Sequence, residues 1–300
     1  MYAIEIRNLK KSFRGLYALD GLNMTVPAGA IYGFIGENGS GKSTTEKLIC
    51  GHLVPDSGSI RLFGKPYTDA GVRVRVGALI ENAGCFPNSS IYQNLMMQAI
   101  NLNLKDPDKE IRRVLRIVRL QKQMKLKFKK CSLGMKQRVG IAMALLGDPV
   151  LLILDEPING LDTDGMRIMR EILVDITQNY GCTVLISSHI LGELEKIATH
   201  YGIIRQGKLV QELTAEDMAR RSRNYISLQS PDLQRAFHLL CGRYHDVRLQ
   251  EGELHIYTMD DPAHLSAYLL QNDIPVSGIR RNRIGLEEYY TELMRKKEAI

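Results

Sequence analysis

Two short runs in this 300-residue chain combine residue types that could handle phosphate. The first is Gly36-Glu37-Asn38-Gly39-Ser40-Gly41-Lys42-Ser43, with Thr44 directly behind it. Its glycines let successive backbone N–H groups turn inward around a polyphosphate at the start of a helix. Lys42 supplies a compact positive charge for the β and γ phosphates, and the Ser43 hydroxyl is a hard oxygen donor for Mg²⁺. The second run is Asp155-Glu156, which ends the apolar stretch Leu151-Leu152-Ile153-Leu154. Carboxylates at the end of a buried strand lie where open α/β sheets bind their ligands. Asp155 is therefore placed to hold Mg²⁺ and Glu156 to polarise an attacking water. Two acids could merely end a strand, but a phosphate loop upstream argues against that account.

These groups need a scaffold, and the apolar pattern describes one. Four compact runs without polar alternation, 30–35, 76–80, 150–154 and 183–187, predict strands covered on both faces, a parallel α/β core. Shorter runs at 4–9, 22–26 and 59–63, separated by Gly and Pro turns, predict antiparallel strands flanking the phosphate loop. Between Ile91 and Leu146 the spacing turns helical, with Ile111, Val114, Leu115 and Val118 on one stripe and Met135, Val139, Ala142 and Leu146 on another. Arg112, Arg113, Arg116 and Arg119 fall mostly off the first stripe and, with the lysines of 122–130, predict a solvated face. After Leu213 a basic stretch (Arg220, Arg221, Arg223) leads to a strand at 225–228, a helix at 233–240 and a hairpin of 247–249 with 254–257. These predict a small α+β domain from about residue 222 to the end.

Composition narrows the function classes. The charged fraction of 24% and the supply of Leu, Ile, Val and Met predict a fully cored globular chain. The net charge of +7 suits nucleic acid, an anionic membrane or a phosphate-rich ligand equally. Five scattered cysteines without a C-x-x-C pair argue against a disulfide framework or a zinc site and predict a cytosolic setting. No apolar run approaches the roughly 18 residues of a membrane span, and the N-terminus lacks a signal-peptide pattern, so membrane work would require another polypeptide.

Between the two chemical runs lies Cys131-Ser132-Leu133-Gly134-Met135-Lys136-Gln137-Arg138, just before an amphipathic helix. The Ser132 hydroxyl, the Gly134 N–H and the helix dipole together make an anion site, although Ser132 taken alone is a plain N-cap. In its place between the phosphate loop and Asp155-Glu156, this segment resembles the signature motif of the ABC ATPase family, and the resemblance covers about residues 2–213. It implies a P-loop NTPase core of the ABC ATPase type, α/β, with an antiparallel β subdomain and a helical insertion at about 84–146. The nucleotide-binding domain would span 1–215, followed by the α+β domain of 222–300. It also implies ATP with Mg²⁺ as the bound species, and a homodimer on ATP binding in which Ser132 and Gly134 of one copy complete the site of the other. Asn159-Gly160-Leu161-Asp162 is similar to the loop through which paired subunits communicate, and His189, after Ser187-Ser188, to the histidine that senses the γ-phosphate. Phe13, in Lys11-Ser12-Phe13, falls at the family's adenine-stacking position; Tyr17 is a rival, and core burial of Phe13 is the alternative.

Departures from the family pattern carry information. After the strand 76–80 the family usually has a glutamine that reaches Mg²⁺ and the attacking water; here Glu81 stands instead, an acid able to coordinate the metal. Leu133 replaces a usual glycine and Met135 a usual glutamine. Together these features resemble the subgroup of bacterial ABC ATPases associated with bacitracin resistance and lantibiotic self-immunity. That implies a separate transmembrane permease as partner, export of antimicrobial peptides, and a cytoplasmic location on the inner face of the membrane. One cassette and a short helical insertion argue against the rival, a soluble ABC ATPase acting on DNA or ribosomes, so no nucleic acid is expected. Glu156 and His189 argue against a nucleotide sensor without turnover.

Overall fold

Alternating apolar residues build the first two strands, β1 (Tyr2–Phe13) and β2 (Leu16–Pro27), an antiparallel hairpin with Ile4 opposite Val26 and Ile6 opposite Met24. The computed structural model describes residues 1–221, 224–250, 252–258 and 260–298, so Arg223 of the basic stretch lies outside the described residues. The chain divides into two units, Met1–Ala215 and Glu216–Ile300.

In the first unit the hairpin is followed by β3 (Ile31–Ile35), the phosphate loop, α1 (Lys42–Ile49), β4 (Ser57–Leu62) and β5 (Lys65–Pro66). Next come α2 (Ala70–Arg73), β6 (Val76–Leu79), α3 (Ile91–Asn101), α4 (Pro107–Ile117) and α5 (Leu133–Ala144). The unit closes with β7 (Leu151–Asp155), α6 (Thr163–Tyr180), β8 (Thr183–Ser188), α7 (Leu191–Leu194), β9 (His200–Arg205) and β10 (Lys208–Thr214). One sheet runs β2-β1-β4-β5; the other runs β10-β9-β3-β8-β7-β6, parallel except for β10. Every residue of β3 and β8 is buried, as is β7 up to Asp155, which is why these strands read as unbroken apolar runs.

The strand order puts the chemistry at one edge. β8 lies between β3 and β7, with Ile35 opposite Ser188 and Asp155 opposite Ser187. The loops leaving the carboxyl ends of all three strands therefore converge.

Local signals start the helices. Ser90 and Gln93 form a capping box on α3, Asp106 caps α4 with Pro107 in its first turn, and Gly181, at φ 64°, ends α6. The predicted solvated arginines are more specifically occupied. Arg112 pairs with Asp108, Arg113 with Glu110, and Arg119 with Glu171 at 2.6 Å. The strands β9 and β10 are not marked by the apolar pattern. They are held by Glu212, whose carboxylate accepts from the Thr25 amide at 2.8 Å and the buried Tyr32 hydroxyl at 2.7 Å.

The second unit begins within α8 (Ala215–Arg221) and continues as β11 (Asn224–Gln229), α9 (Leu233–Cys241), β12 (Val247–Gln250) and β13 (Glu253–Ile256). It ends with α10 (Pro262–Gln271), β14 (Gly278–Arg283) and α11 (Leu286–Glu298). Its sheet order, β12-β13-β11-β14, all antiparallel, is the split β-α-β arrangement of ferredoxin-like folds. Ile226, Leu228, Leu254 and Ile256 share one core with Ala236, Leu240, Leu265 and Leu269.

The helical insertion meets the main sheet backbone to backbone at Gly77, where a Cβ would lie 2.0 Å from the Ala144 carbonyl oxygen. Gly77→Ala is therefore expected to force β6 and α5 apart and cost about 1–3 kcal/mol, as overpacked sites do. A thermal unfolding midpoint equal to that of the parent chain would show that no such contact constrains the two elements.

Candidate functional site

The phosphate loop turns between β3 and α1, and its last glycine fixes the turn. Gly41 has φ 113°, and a Cβ there would meet the Ala18 carbonyl oxygen at 2.8 Å and Leu19 at 2.7 Å. The buried Lys42 ammonium donates to the Gly36 carbonyl at 2.6 Å and the Glu37 carbonyl at 3.1 Å, so the side chain lies back along the loop it serves. Glu37, Asn38 and Gly39 are exposed, Ser40 is buried, and Ser43 and Thr44 are half-buried. Asn38, Gly39, Gly41, Lys42, Ser43 and Thr44 line a concavity together with Ala18, Asp155 and Glu156.

The predicted acids stand where the parallel register puts them. Ser43 donates its hydroxyl to Asp155 Oδ2 at 3.1 Å, and Ser187 donates to Asp155 Oδ1 at 2.8 Å. The Ser187 hydroxyl also accepts from the Glu156 amide at 3.2 Å. Glu156 sits in the left-handed region at φ 49°, a conformation that costs of order 1–3 kcal/mol in a non-glycine residue and collects at functional sites. Its carboxylate lies 2.8 Å from His189 Nδ1. Ser43 and Asp155 are adjacent hard oxygen donors, the kind of set that binds Mg²⁺ when phosphate oxygens supply the remaining positions. Among the described residues no group of three or more His, Cys, Asp and Glu side chains could hold a metal by itself.

Glu81 is placed differently from the expectation. It is also left-handed, at φ 64°, but its carboxylate is mostly exposed and bonded to Lys47 on α1 at 2.6 Å, not to the Ser43–Asp155 pair. The Lys47 hydrogen bond holds this carboxyl below its usual range. It lines a second hollow with Asn82, Cys85, Leu133, Lys136 and Gln137, so the start of α5 faces Glu81. At that start the Ser132 hydroxyl accepts from the Met135 amide at 3.3 Å as an N-cap, and Gly134 lies beside Leu161 of the 159–162 loop. Asp162 caps α6, accepting from the Gly165 amide at 2.8 Å.

At the tip of the β1–β2 hairpin Phe13 is 45% exposed and Tyr17 is 63% exposed, so neither belongs to the core. Lys11 lies over the Phe13 ring and Lys10 over that of Tyr17. Asp56 anchors this tip, accepting from Lys11 at 2.8 Å and from both the amide and the hydroxyl of Ser12 at 2.7 Å.

Sequence reasoning passed over three side chains that shape the site: Ser187, Lys47 and Glu46. Glu46 is completely buried on α1. Burial pushes its carboxyl well above the usual range and the nearby Asp155 charge adds to this, while Ser187 and Lys42 oppose it. An acid four residues after Lys42, on the same helix face, was the signal available for Glu46.

A strand-held phosphate loop, an acid pair at the end of β7 two strands away and an inserted helix capped by Ser132 define the class of ATP-binding cassettes. The family model for ABC transporters matches residues 19–159. The chain is 37% identical to the bacitracin transport ATP-binding protein BcrA of Bacillus licheniformis, over 97% of both chains. It is 41% identical to the lantibiotic transport ATP-binding protein SrtF of Streptococcus pyogenes, over 70% of this chain and 90% of that one. Among solved structures, cbiO1 of Clostridium perfringens, part of the ABC transporter complex cbiONQ, superposes with a TM-score of 0.67 and 26% identity. That match covers 81% of this chain and 96% of the other. The chain belongs to the ABC transporter family, and it is an ATP-binding, ATP-hydrolysing subunit.

Hydrogen bonds from Lys11, first, and from the Ser12 hydroxyl and amide hold the Asp56 carboxyl down to about 2. A depressed carboxyl stabilises the fold above its unfolded value, and that contribution is lost as pH falls through the folded one. An NMR titration of the Asp56 carboxyl is expected to show its midpoint near 2 in the parent chain, and a higher one in Lys11→Met. An ordinary midpoint in the parent would refute this anchoring of the hairpin tip.

Proposed function

We propose that two copies of this chain close on two ATP molecules and drive a separate membrane permease that exports peptide antibiotics. The observation that carries the hydrolytic reading is the continuous set of contacts Ser43–Asp155–Ser187–Glu156–His189 at the carboxyl edge of the sheet. Ser43 and Asp155 hold Mg²⁺, which supplies charge neutralisation on the phosphate oxygens. The amides of the loop Gly36 to Ser43 and the Lys42 ammonium hold the phosphate tail, with Thr44 at the helix start. Glu156 takes the proton of the attacking water, and His189 holds the Glu156 carboxylate towards the γ-phosphate.

The two-copy reading is supported by what lines the phosphate concavity. Ala18, residues of 38–44, Asp155 and Glu156 surround it, and neither Ser132 nor Gly134 is among them. In the paired state the N-terminus of α5 from the second copy brings Ser132 and Gly134 to the γ-phosphate, and the loop to Asp162 connects the two sites. Phe13 stacks on adenine at the hairpin tip, where it is exposed and cation-backed, with Tyr17 as the neighbouring surface. Glu81, bonded to Lys47 here, would reach the metal only on releasing that partner, and beside the start of α5 it would couple the site to the permease.

The nucleotide-binding domain is assigned to 1–215, with the helical subdomain at about 84–146, and the α+β domain to 222–300. No helix among the described residues is long and apolar enough to cross a membrane. Transport then falls to a partner, and the chain works at the cytoplasmic face of the membrane. The peptide substrate is supported by the likeness to bacitracin and lantibiotic transport subunits, over nearly the whole chain for BcrA.

Glu156→Gln is expected to retain ATP binding, accumulate as an ATP-bound dimer in size-exclusion chromatography and lose turnover by at least about 10²-fold, the scale of a lost general base. Full ATPase activity in that variant would remove Glu156 from the role of base. Lys42→Ala is expected to lose ATP binding itself. Co-expression with its permease should raise tolerance to bacitracin or a lantibiotic only when Glu156 is intact; tolerance independent of Glu156 would refute the export reading.

A further inference from the structure

The far end of the β1–β2 hairpin has lost the third strand that supports its base. β4 follows β1 only from Ile4 to Lys10, and a hairpin without a further strand is marginal in water. Phe13 pairs with Leu16 across Arg14 and Gly15, both left-handed at φ 50° and 85°, the conformation of a tight two-residue turn. Phe13, Leu16 and Tyr17 all stand exposed. The tip nevertheless borders the nucleotide site. Ala18 lines the phosphate concavity, and its carbonyl oxygen approaches the phosphate loop so closely at Gly41 that a Cβ there would lie 2.8 Å from it.

What orders the tip reaches it from outside the hairpin. Asp56 stands just before β4, and its amide donates to the Lys10 carbonyl at 2.9 Å. Its carboxylate accepts three more bonds, at Oδ1 from the Lys11 ammonium at 2.8 Å and at Oδ2 from the Ser12 amide and hydroxyl, each at 2.7 Å. These bonds, that of Lys11 first, hold the carboxyl down to about 2, so it is charged at neutral pH. An exposed ion pair by itself contributes little, but here both carboxylate oxygens are occupied and the backbone on either side is tied as well. The Lys11 ammonium held in this way lies over the Phe13 ring, 5.4 Å from its centroid. A cation on one face of a ring leaves the opposite face for a stacking partner.

We infer that Asp56 is a positioning residue for the nucleotide base: by fixing Lys11 and Ser12 it sets the Phe13 ring in the orientation that stacks on adenine. The inference rests on the assignment of Phe13 to the base made above. A ring already ordered loses less freedom on stacking than a mobile one, so the anchor raises affinity through Phe13. The competing account is that Asp56 only knits the hairpin to β4. The two differ in what the base has to do with the effect. Because the hairpin meets the phosphate loop at Ala18 and Gly41, a loosened hairpin disturbs the phosphate end as well, whereas a misplaced ring disturbs the base alone.

The test is isothermal titration calorimetry of the full-length chain with ADP, which is not turned over, and with inorganic tripolyphosphate, which has no base. Asp56→Ala is expected to weaken ADP binding by roughly three- to tenfold, a share of what a stacked base contributes, and to leave tripolyphosphate binding at the parental value. In a chain already carrying Phe13→Ala, adding Asp56→Ala is expected to change nothing further, as residues that act through one another are not additive. Parental ADP binding in Asp56→Ala, an equal weakening of both ligands, or an undiminished effect in the Phe13→Ala chain overturns the inference. If Asp56→Ala does not fold, Lys11→Met removes the ammonium and leaves Ser12 on Asp56, and parental ADP binding in that variant overturns it as well. Phe13→Ala alone separates the two levels: parental ADP binding there refutes the base-stacking assignment itself, whereas weakened binding there beside a parental Asp56→Ala refutes only the role of Asp56.

Discussion

The site depends on the register of three parallel strands. β8 is hydrogen-bonded between β3 and β7 so that Ser188 stands opposite Ile35 and Ser187 opposite Asp155. The phosphate loop, the acid pair and His189 belong to segments far apart in sequence and meet only because these strands end together. A slip of one residue would turn Ser187 to the other face and leave Asp155 without its second hydroxyl. The full burial of β3 and β8 is what makes such a slip expensive, since one face cannot be exchanged for the other without carrying Ser187 with it.

Much of this was legible in the sequence, and what was legible shared one property: it was local. The phosphate loop declares itself because its glycines, Lys42 and Ser43 are contiguous, and the buried strands because their apolar runs are unbroken. The beginning of α5 was legible for the same reason, with Ser132 acting as the N-cap that its type suggests. What escaped is non-local. β9 and β10 depend on Glu212 reaching Thr25 and Tyr32 across the sheet. The arginines of 112–119 do form a largely exposed face, as read, but their ion-pair partners, Glu171 for Arg119 above all, stand on other turns or elements and were not legible. Phe13 and Tyr17 remain rivals because both are exposed on the same hairpin tip.

The departures from the family pattern also gain a physical setting. An acid in place of the usual amide at position 81 adds negative charge near a site already holding Asp155 and Glu156, and a polyphosphate must still enter it. Unscreened, such like charges would oppose ATP binding. The fold distributes them. Asp155 is held by two hydroxyls, Glu156 lies against His189, and Glu81 is drawn aside by Lys47. Glu46 is sealed from water, and burial pushes its carboxyl well above the usual range, which disfavours its charged form. Each carboxyl therefore has a different means of control, and only that of Asp155 leaves it facing the Ser43 hydroxyl. The arrangement accounts for how one small region can carry four acidic side chains beside Lys42 and the amides of the phosphate loop. Ser43 and Asp155 thus stand together as adjacent oxygen donors, while Glu81, exposed and paired to Lys47 on α1, lies across from the start of α5.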